Sequence, residues 1–157
     1  MKDVDFSGST VGVTGGAGGI GRAIAEACAA AGARVAGLDV KHEETASLLE
    51  ELPGEGHLCV TGNAGVEEDV RSFAEKVLEC FGRVDVLVNN ACITRRGILS
   101  GCSFEEFNEV LRVGVSAPYL LSLLFRDHFS RGASIVNIAS TRASMSQKDT
   151  ESYSAAK

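Results

Sequence analysis

Apolar residues in this chain fall into short runs that alternate with longer stretches of helical spacing. The runs at residues 10–14, 34–38, 57–61, 84–88 and 134–139 each hold β-branched apolar residues and are bounded by turn formers, and they predict five strands. Residues 20–31, 42–52 and 66–81 carry apolar positions at helical spacing and predict helices, closed by Gly32, Pro53-Gly54 and Gly82 respectively. Ser103 followed by Glu106 is a capping-box signature that opens a further helical region to about Phe129. Gly114 and Pro118 fall inside that region, which predicts a bend or a break there. Residues 151–157 read as the first turns of one more helix. Strands alternate with helical segments throughout, so the pattern predicts one α/β domain built on a doubly wound parallel sheet with helices on both faces.

Composition narrows the partners. With 157 residues, 45% of them apolar and 23% charged, the chain can bury a core. A net charge of −6 argues against a nucleic-acid or anionic-membrane surface. It leaves room for a dinucleotide, because backbone N–H groups hold phosphates without a basic patch. No stretch approaches the roughly 18 apolar residues of a membrane span, and the polar, acidic segment from Met1 to Ser9 lacks the pattern of a signal peptide. The five cysteines form no Cys-x-x-Cys and the three histidines are scattered, so neither a metal site nor a disulfide framework is expected. Free thiols point to a reducing compartment, the cytoplasm.

The chemistry begins at residues 11–21, Val-Gly-Val-Thr-Gly-Gly-Ala-Gly-Gly-Ile-Gly, which read as strand, glycine turn and helix start. Glycines let the backbone approach a pyrophosphate, and the N–H groups opening the helix face the anion. Asp39 ends the second strand, 18 residues past Gly21. A carboxylate there accepts hydrogen bonds from both hydroxyls of an adenosine ribose and repels a 2′-phosphate, which predicts NAD rather than NADP. Asn89-Asn90-Ala91 follows the fourth strand, at the sheet end where such folds bind ligands. Paired asparagines are also common turn formers. Tyr153 and Lys157 stand at i and i+4, on one helical face. An ammonium beside a phenol favours the phenolate, an acid–base suited to alcohol–carbonyl interconversion. Ser140, read as the end of the fifth strand and 13 residues before Tyr153, could hold the substrate oxygen. Arg95, Arg96 and Arg142 could meet an acidic substrate, although solvated loop charges are the simpler explanation.

Together these residues resemble the short-chain dehydrogenase/reductase family: Thr14, Gly15, Gly19 and Gly21 in the Thr-Gly-x-x-x-Gly-x-Gly pattern, Asn89-Asn90-Ala91, Ser140, and Tyr153 with Lys157. The resemblance covers the whole chain. It implies a Rossmann-type sheet, with five of the usual seven strands present, and NAD(P)-dependent hydride transfer on a small alcohol or carbonyl substrate. Tyr153 would be the acid–base, Ser140 the substrate orienter, and Lys157 both the stabiliser of the phenolate and a binder of the nicotinamide ribose. Thr14, Gly15, Gly19, Ile20 and Gly21 would hold the pyrophosphate side of the cofactor. Asp39 would hold its adenosine ribose and Asn63 would face its adenine, and Ala64, Asn89, Ala91 and Tyr153 would also contact the cofactor. A homodimer or homotetramer is the implied assembly, with the run from Tyr119 to Phe125 in core and dimer face.

The chain departs from the family pattern in three places. Cys92 replaces the usual glycine after Asn-Asn-Ala, Gly114 replaces an asparagine of the proton relay, and Asn63 replaces an acidic residue facing adenine. The family also continues past the Tyr/Lys helix with two strands and a substrate lid, so the sequence reads as a fragment, with adenosine-half binding and weak or no turnover of its own. A catalytically weak NAD-binding regulatory or scaffold protein is the alternative.

Overall fold

The computed structural model describes residues 4–157. Its elements run β1 (Thr10–Thr14), α1 (Gly19–Ala30), β2 (Arg34–Asp39), α2 (His42–Glu51), β3 (Leu58–Thr61), α3 (Glu67–Phe81), β4 (Val84–Asn89), α4 (Phe104–Leu111), α5 (Ala117–Leu124), β5 (Phe129–Asn137) and α6 (Glu151–Ala156). The strands form one parallel sheet in the order β3-β2-β1-β4-β5. The order reverses between β1 and β4, which opens a crevice at the carboxyl ends of these two strands.

Period-two alternation splits the core between two faces. On β2, Val35 packs with Ala25 and Ala29 of α1, Leu48 of α2 and Leu52 just beyond it. Its neighbours Ala36 and Leu38 point the other way, into a cluster with Val70, Phe73 and Val77 of α3 and Leu121 of α5. Leu87 and Val88 of β4 divide in the same manner. Gly82 takes the left-handed conformation that ends α3, with φ +72°, as its position in the sequence predicts. Burial pushes the Cys59 thiol, packed beside the α1–α2 cluster, up to about 11. Such a thiol stays protonated and acts as a small apolar group.

Two expectations need correction. The capping box at Ser103 and Glu106 is formed in both directions and starts α4. At Gly114, where a bend or a break is expected, the helix turns irregular but does not break. It passes through a π-turn, Arg112–Ser116, before continuing as α5, which ends at Leu124 rather than near Phe129. Pro118 lies in the first turn of α5, directly after the π-turn, where its missing N–H withholds one bond from the preceding turn. Strand β5 spans Phe129–Asn137 instead of 134–139, with a register irregularity opposite Val84 and Val86. Gly132, at φ +87°, and the polar Ser130 and Arg131 hide this first half from a hydrophobicity reading.

Asp85 sits at that irregularity. Its Oδ2 accepts the Thr10 N–H at 2.7 Å and an Arg83 guanidinium N–H at 3.3 Å. Burial works to raise the Asp85 carboxyl, but the Ser130 hydroxyl, the Thr10 N–H and Arg83 together hold it below its ordinary value. A depressed folded value means stability that is complete above the unfolded value of about 3.9 and is lost as pH falls through the folded value. Asp85→Ala is expected to cost about 1–3 kcal/mol at neutral pH, because the buried Thr10 N–H loses its acceptor. The deficit should narrow in acid, and urea unfolding at both pH values checks it.

Candidate functional site

The glycine turn between β1 and α1 is held from three sides. The N–H groups of Gly15 and Gly16 donate to the Leu38 carbonyl at 2.7 and 3.2 Å. Ala17 N donates to Asp39 Oδ2 at 3.0 Å. From β4, Asn90 Nδ2 donates to the carbonyls of Thr14 and Gly15, both at 3.0 Å. The buried Thr14 hydroxyl accepts the N–H groups of Asn90 and Ala91, each at 3.1 Å. Gly15 has φ +62°, and Gly21 packs so closely that an added Cβ would stand 2.0 Å from the Gly15 carbonyl oxygen. Only glycine fits at Gly21.

The result is a rigid turn that leads into the N-terminus of α1, where Gly18 caps the helix without any side-chain hydrogen bond. The first N–H groups of α1 therefore have no partner within the helix or from a cap, and they open toward solvent beside Gly18 and Gly19. No atom lies within 4 Å of a Cβ built on either glycine. An anion placed there meets the positive end of the helix.

A cavity of about 440 Å³ runs along this turn, lined among others by Gly15, Gly18, Ile20, Asp39, Asn63, Ala64, Asn90 and Ala91. Asp39 stands at the C-terminal end of β2, where its Oδ1 also accepts the Lys41 N–H at 3.2 Å. Asn63 is held by Asp69, whose Oδ2 accepts its N–H at 2.8 Å, while its own Oδ1 accepts the Gly65 N–H at 2.8 Å. The Asn63 side chain thus shapes its loop as well as lining the cavity.

A second cavity, about 280 Å³, lies beyond Ala91, which lines both. Its walls include Asn89, Gly114, Asn137 and Lys157. Lys157 Nζ donates to the Ile138 carbonyl at 2.6 Å and stands 5.8 Å from the Tyr153 ring centroid. Tyr153 and Ser140 are half-buried and neither lines these two cavities. Ser140 does not end β5. It lies three residues beyond Asn137, where its Oγ accepts the Arg142 N–H at 3.2 Å and caps a short 3-10 turn.

The two asparagines part company. Successive residues at a strand end face opposite ways, so Asn90 reaches the glycine turn while Asn89 Nδ2 donates to Asn137 Oδ1 of β5 at 2.8 Å. Asn89, expected among the cofactor's contacts, lines the second cavity and not the one along the glycine turn. Asn90 is the residue that sequence reasoning underweighted, and the strand's own alternation is the signal that finds it. Of the three arginines, Arg95 is spent on a two-pronged ion pair with Glu109, at 2.8 Å for each bond, and Arg142 donates to the Met145 carbonyl. Arg96 is exposed. Among the described residues no cluster of histidine, cysteine or carboxylate side chains could hold a metal ion, and no helix is long and apolar enough to cross a membrane.

A parallel sheet of this order, with a glycine turn at its switch point and an acidic residue closing β2, defines a Rossmann-type domain. The family model described as short chain dehydrogenase matches residues 9–157, and the chain belongs to that family, whose members bind a nicotinamide cofactor. An uncharacterized oxidoreductase of Thermotoga maritima is 39% identical over 157 residues, covering 97% of this chain and 61% of the relative. The 3-oxoacyl-acyl-carrier-protein reductase FabG of Escherichia coli is 36% identical over 159 residues, covering 98% of this chain and 64% of the relative. A solved short chain dehydrogenase from Burkholderia cenocepacia, in complex with NADP, superimposes with a TM-score of 0.89 at 31% identity, covering 97% of this chain and 64% of that one. The chain thus spans somewhat under two thirds of the length of these relatives.

Proposed function

We propose that this chain forms the cofactor-binding and acid–base part of an NAD(H)-dependent oxidoreductase that interconverts an alcohol and a ketone or aldehyde. One observation carries the reading: the cavity of the glycine turn and Asp39 adjoins, at Ala91, the cavity walled by Lys157. An extended ligand can therefore lie with its phosphates at α1 and its far end beside the Tyr153–Lys157 pair. The nicotinamide cofactor, when bound, supplies or accepts the hydride. Thr14, Gly15, Gly19, Ile20 and Gly21 present backbone to the pyrophosphate. Tyr153 gives or takes the proton at the substrate oxygen, Ser140 orients that oxygen, and Lys157 holds the phenolic group in its reactive state.

The preference for NAD rests on Asp39. Its carboxylate has about four lone-pair directions. The N–H groups of Ala17 and Lys41 take two, which leaves room for ribose hydroxyls. A 2′-phosphate would meet this negative charge. Among the described residues lining this cavity the cation is Lys41, paired with Glu44 at 3.2 Å. The NADP bound by the Burkholderia neighbour weighs on the other side. Calorimetry decides: NAD should bind more tightly than NADP, and Asp39→Ala should narrow the gap by about tenfold, or 1.4 kcal/mol. Equal affinities in the unmodified protein would refute the Asp39 assignment.

The reading includes a small-molecule alcohol or carbonyl substrate, a cytoplasmic location suited to five free thiols, and a homodimer or homotetramer. The exposed Tyr119 and Leu123 on α5 support the last. It includes no nucleic-acid or membrane partner. NAD reduction or NADH oxidation by the complete protein over a panel of alcohols and carbonyls tests the activity. Gly114, which lacks a polar side chain beside Lys157, favours a second reading as an NAD-binding protein without turnover. Tight NADH binding with inactivity across the panel would select it.

A further inference from the structure

We propose that Asp149 is a positioning residue for Tyr153, acting through a hydrogen bond to Ser100 that ties the entry of α6 to the connection between β4 and α4. Its kinetic consequence rests on the oxidoreductase reading above, whereas the tie itself does not. Asp149 stands four residues before Tyr153, directly ahead of the Thr150 that precedes α6. Its φ is +61°, and among the described residues it is the one residue other than glycine with positive φ. Left-handed backbone is disfavoured for residues with a side chain, although aspartate tolerates it better than most. Its Oδ1 is also buried and has no donor among the described residues. Two such costs at one residue persist where the surrounding structure imposes them.

That surrounding structure is the β4–α4 connection. Ser100 Oγ donates to Asp149 Oδ2 at 2.5 Å. Ser100 ends a short 3-10 turn, Ile98–Ser100. A Cβ built on Gly97, the residue before that turn, would overlap the Asp149 Cα and the Glu151 carboxylate, so the connection lies directly against the entry to α6. Nearer β4, the same stretch is fixed at Asn90, whose amide holds the glycine turn, and at Arg95, whose guanidinium is paired with Glu109 of α4. It therefore runs from the cofactor turn to the helix of Tyr153 with an anchor at each end.

Helix α6 needs that anchor because no side chain caps its start. Thr150, in the capping position, spends its hydroxyl on Gln147 and Ser154 instead. Four residues past Tyr153, the Lys157 ammonium is fixed on the Ile138 carbonyl. Four residues before it, Asp149 is fixed on Ser100. Tyr153 lies between the two ties. Loss of the earlier one lets the helix entry move, and the phenol moves with it. The cavity of the glycine turn has neither Asp149 nor Ser100 in its lining, so it is spared. A misplacement of about 1 Å can cost about a hundredfold in rate.

Steady-state kinetics and amide hydrogen exchange of the complete protein test the tie. Ser100→Ala removes the donor. Asp149→Gly removes the acceptor with a residue suited to the left-handed backbone, and it decides the matter should Ser100→Ala not fold. Asp149→Asn keeps both an acceptor oxygen and the tolerance for that backbone. The expected result is a kcat lowered about 10- to 100-fold in Ser100→Ala and Asp149→Gly, with KM for NAD unchanged and Asp149→Asn close to the unmodified rate. In a Tyr153→Phe background Ser100→Ala should lower kcat no further, because it acts through that hydroxyl. Amides of residues 154–157 should exchange faster in both tie-breaking variants, with α1 unaffected. An unchanged kcat, an Asp149→Asn enzyme as slow as Asp149→Gly, a loss that persists in full beside Tyr153→Phe, or unchanged exchange would overturn the proposal. If the unmodified protein turns over no substrate, the oxidoreductase reading falls, and exchange alone decides whether Ser100 and Asp149 hold α6.

Discussion

Gly21→Ala is expected to destabilise the protein and to abolish tight dinucleotide binding, because the added methyl meets main chain on the far side of the glycine turn. The built Cβ lies 2.0 Å from the Gly15 oxygen, 2.8 Å from the Gly15 carbonyl carbon and 2.6 Å from Asn90 Nδ2. A flexible side chain could swing away, but the Gly15 carbonyl cannot. It accepts from Asn90, and the N–H of the same residue donates to Leu38. Relief therefore requires α1 to back away from β1 or the turn to open. Either movement carries the helix N-terminus off the phosphate position. Overpacking typically costs about 1–3 kcal/mol, and a clash between two backbones belongs at or above the upper end. At roughly 2–4 °C per kcal/mol for a domain near this size, the melting temperature should fall by about 10 °C. Affinity for NADH should fall at least about a hundredfold, equivalent to about 2.7 kcal/mol. Gly18→Ala is the control for stability: its backbone is extended, at φ −146°, and its built Cβ meets nothing within 4 Å. Thermal melts of both variants and calorimetry of Gly21→Ala with NADH are the checks. A Gly21→Ala protein that melts and binds like the unmodified one would mean that the turn is not the rigid cradle described.

The glycine turn was legible in the sequence because its chemistry is local. A strand, a run of glycines and a helix start lie within a dozen residues, and Gly15 and Gly21 answer demands of the backbone there. Asp39 was legible for the same reason, since the length of one βαβ unit sets its distance from Gly21. The misread features depend on neighbours distant in sequence. The first half of β5 carries Ser130, Arg131 and Gly132, so periodicity does not mark it as a strand. It is one because β4 offers it a ladder and Asp85 offers Ser130 an acceptor. The π-turn at Gly114 is likewise a tertiary solution. A break after Leu111 would release buried Val113 and Ala117, so the helix absorbs one wide turn and keeps both in the core. Asn89 and Asn90 are adjacent in sequence and opposite in direction, and only the sheet says which of them reaches the turn.

Tyr153→Phe is expected to lower kcat by about 10²–10⁴-fold, the usual contribution of a positioned acid–base, while leaving affinity for NADH nearly unchanged. The argument turns on what the substitution spares. Phenylalanine keeps the ring against α6 and removes only the oxygen. Lys157 does not depend on that oxygen for its place, because its ammonium is anchored on the Ile138 carbonyl. The cofactor cavity contains no atom of Tyr153 in its lining. A loss confined to kcat corresponds to about 3–5 kcal/mol of transition-state stabilisation with binding intact, and that split separates proton transfer from assembly. Lys157→Met should behave differently: it removes the ammonium from the second cavity, so both kcat and affinity for the cofactor should fall. Steady-state kinetics of the complete protein, with NADH titrations of each variant, distinguish the two. A Tyr153→Phe enzyme that turns over at the unmodified rate would move the acid–base elsewhere, and the adjoining cavities would then describe a binding site alone.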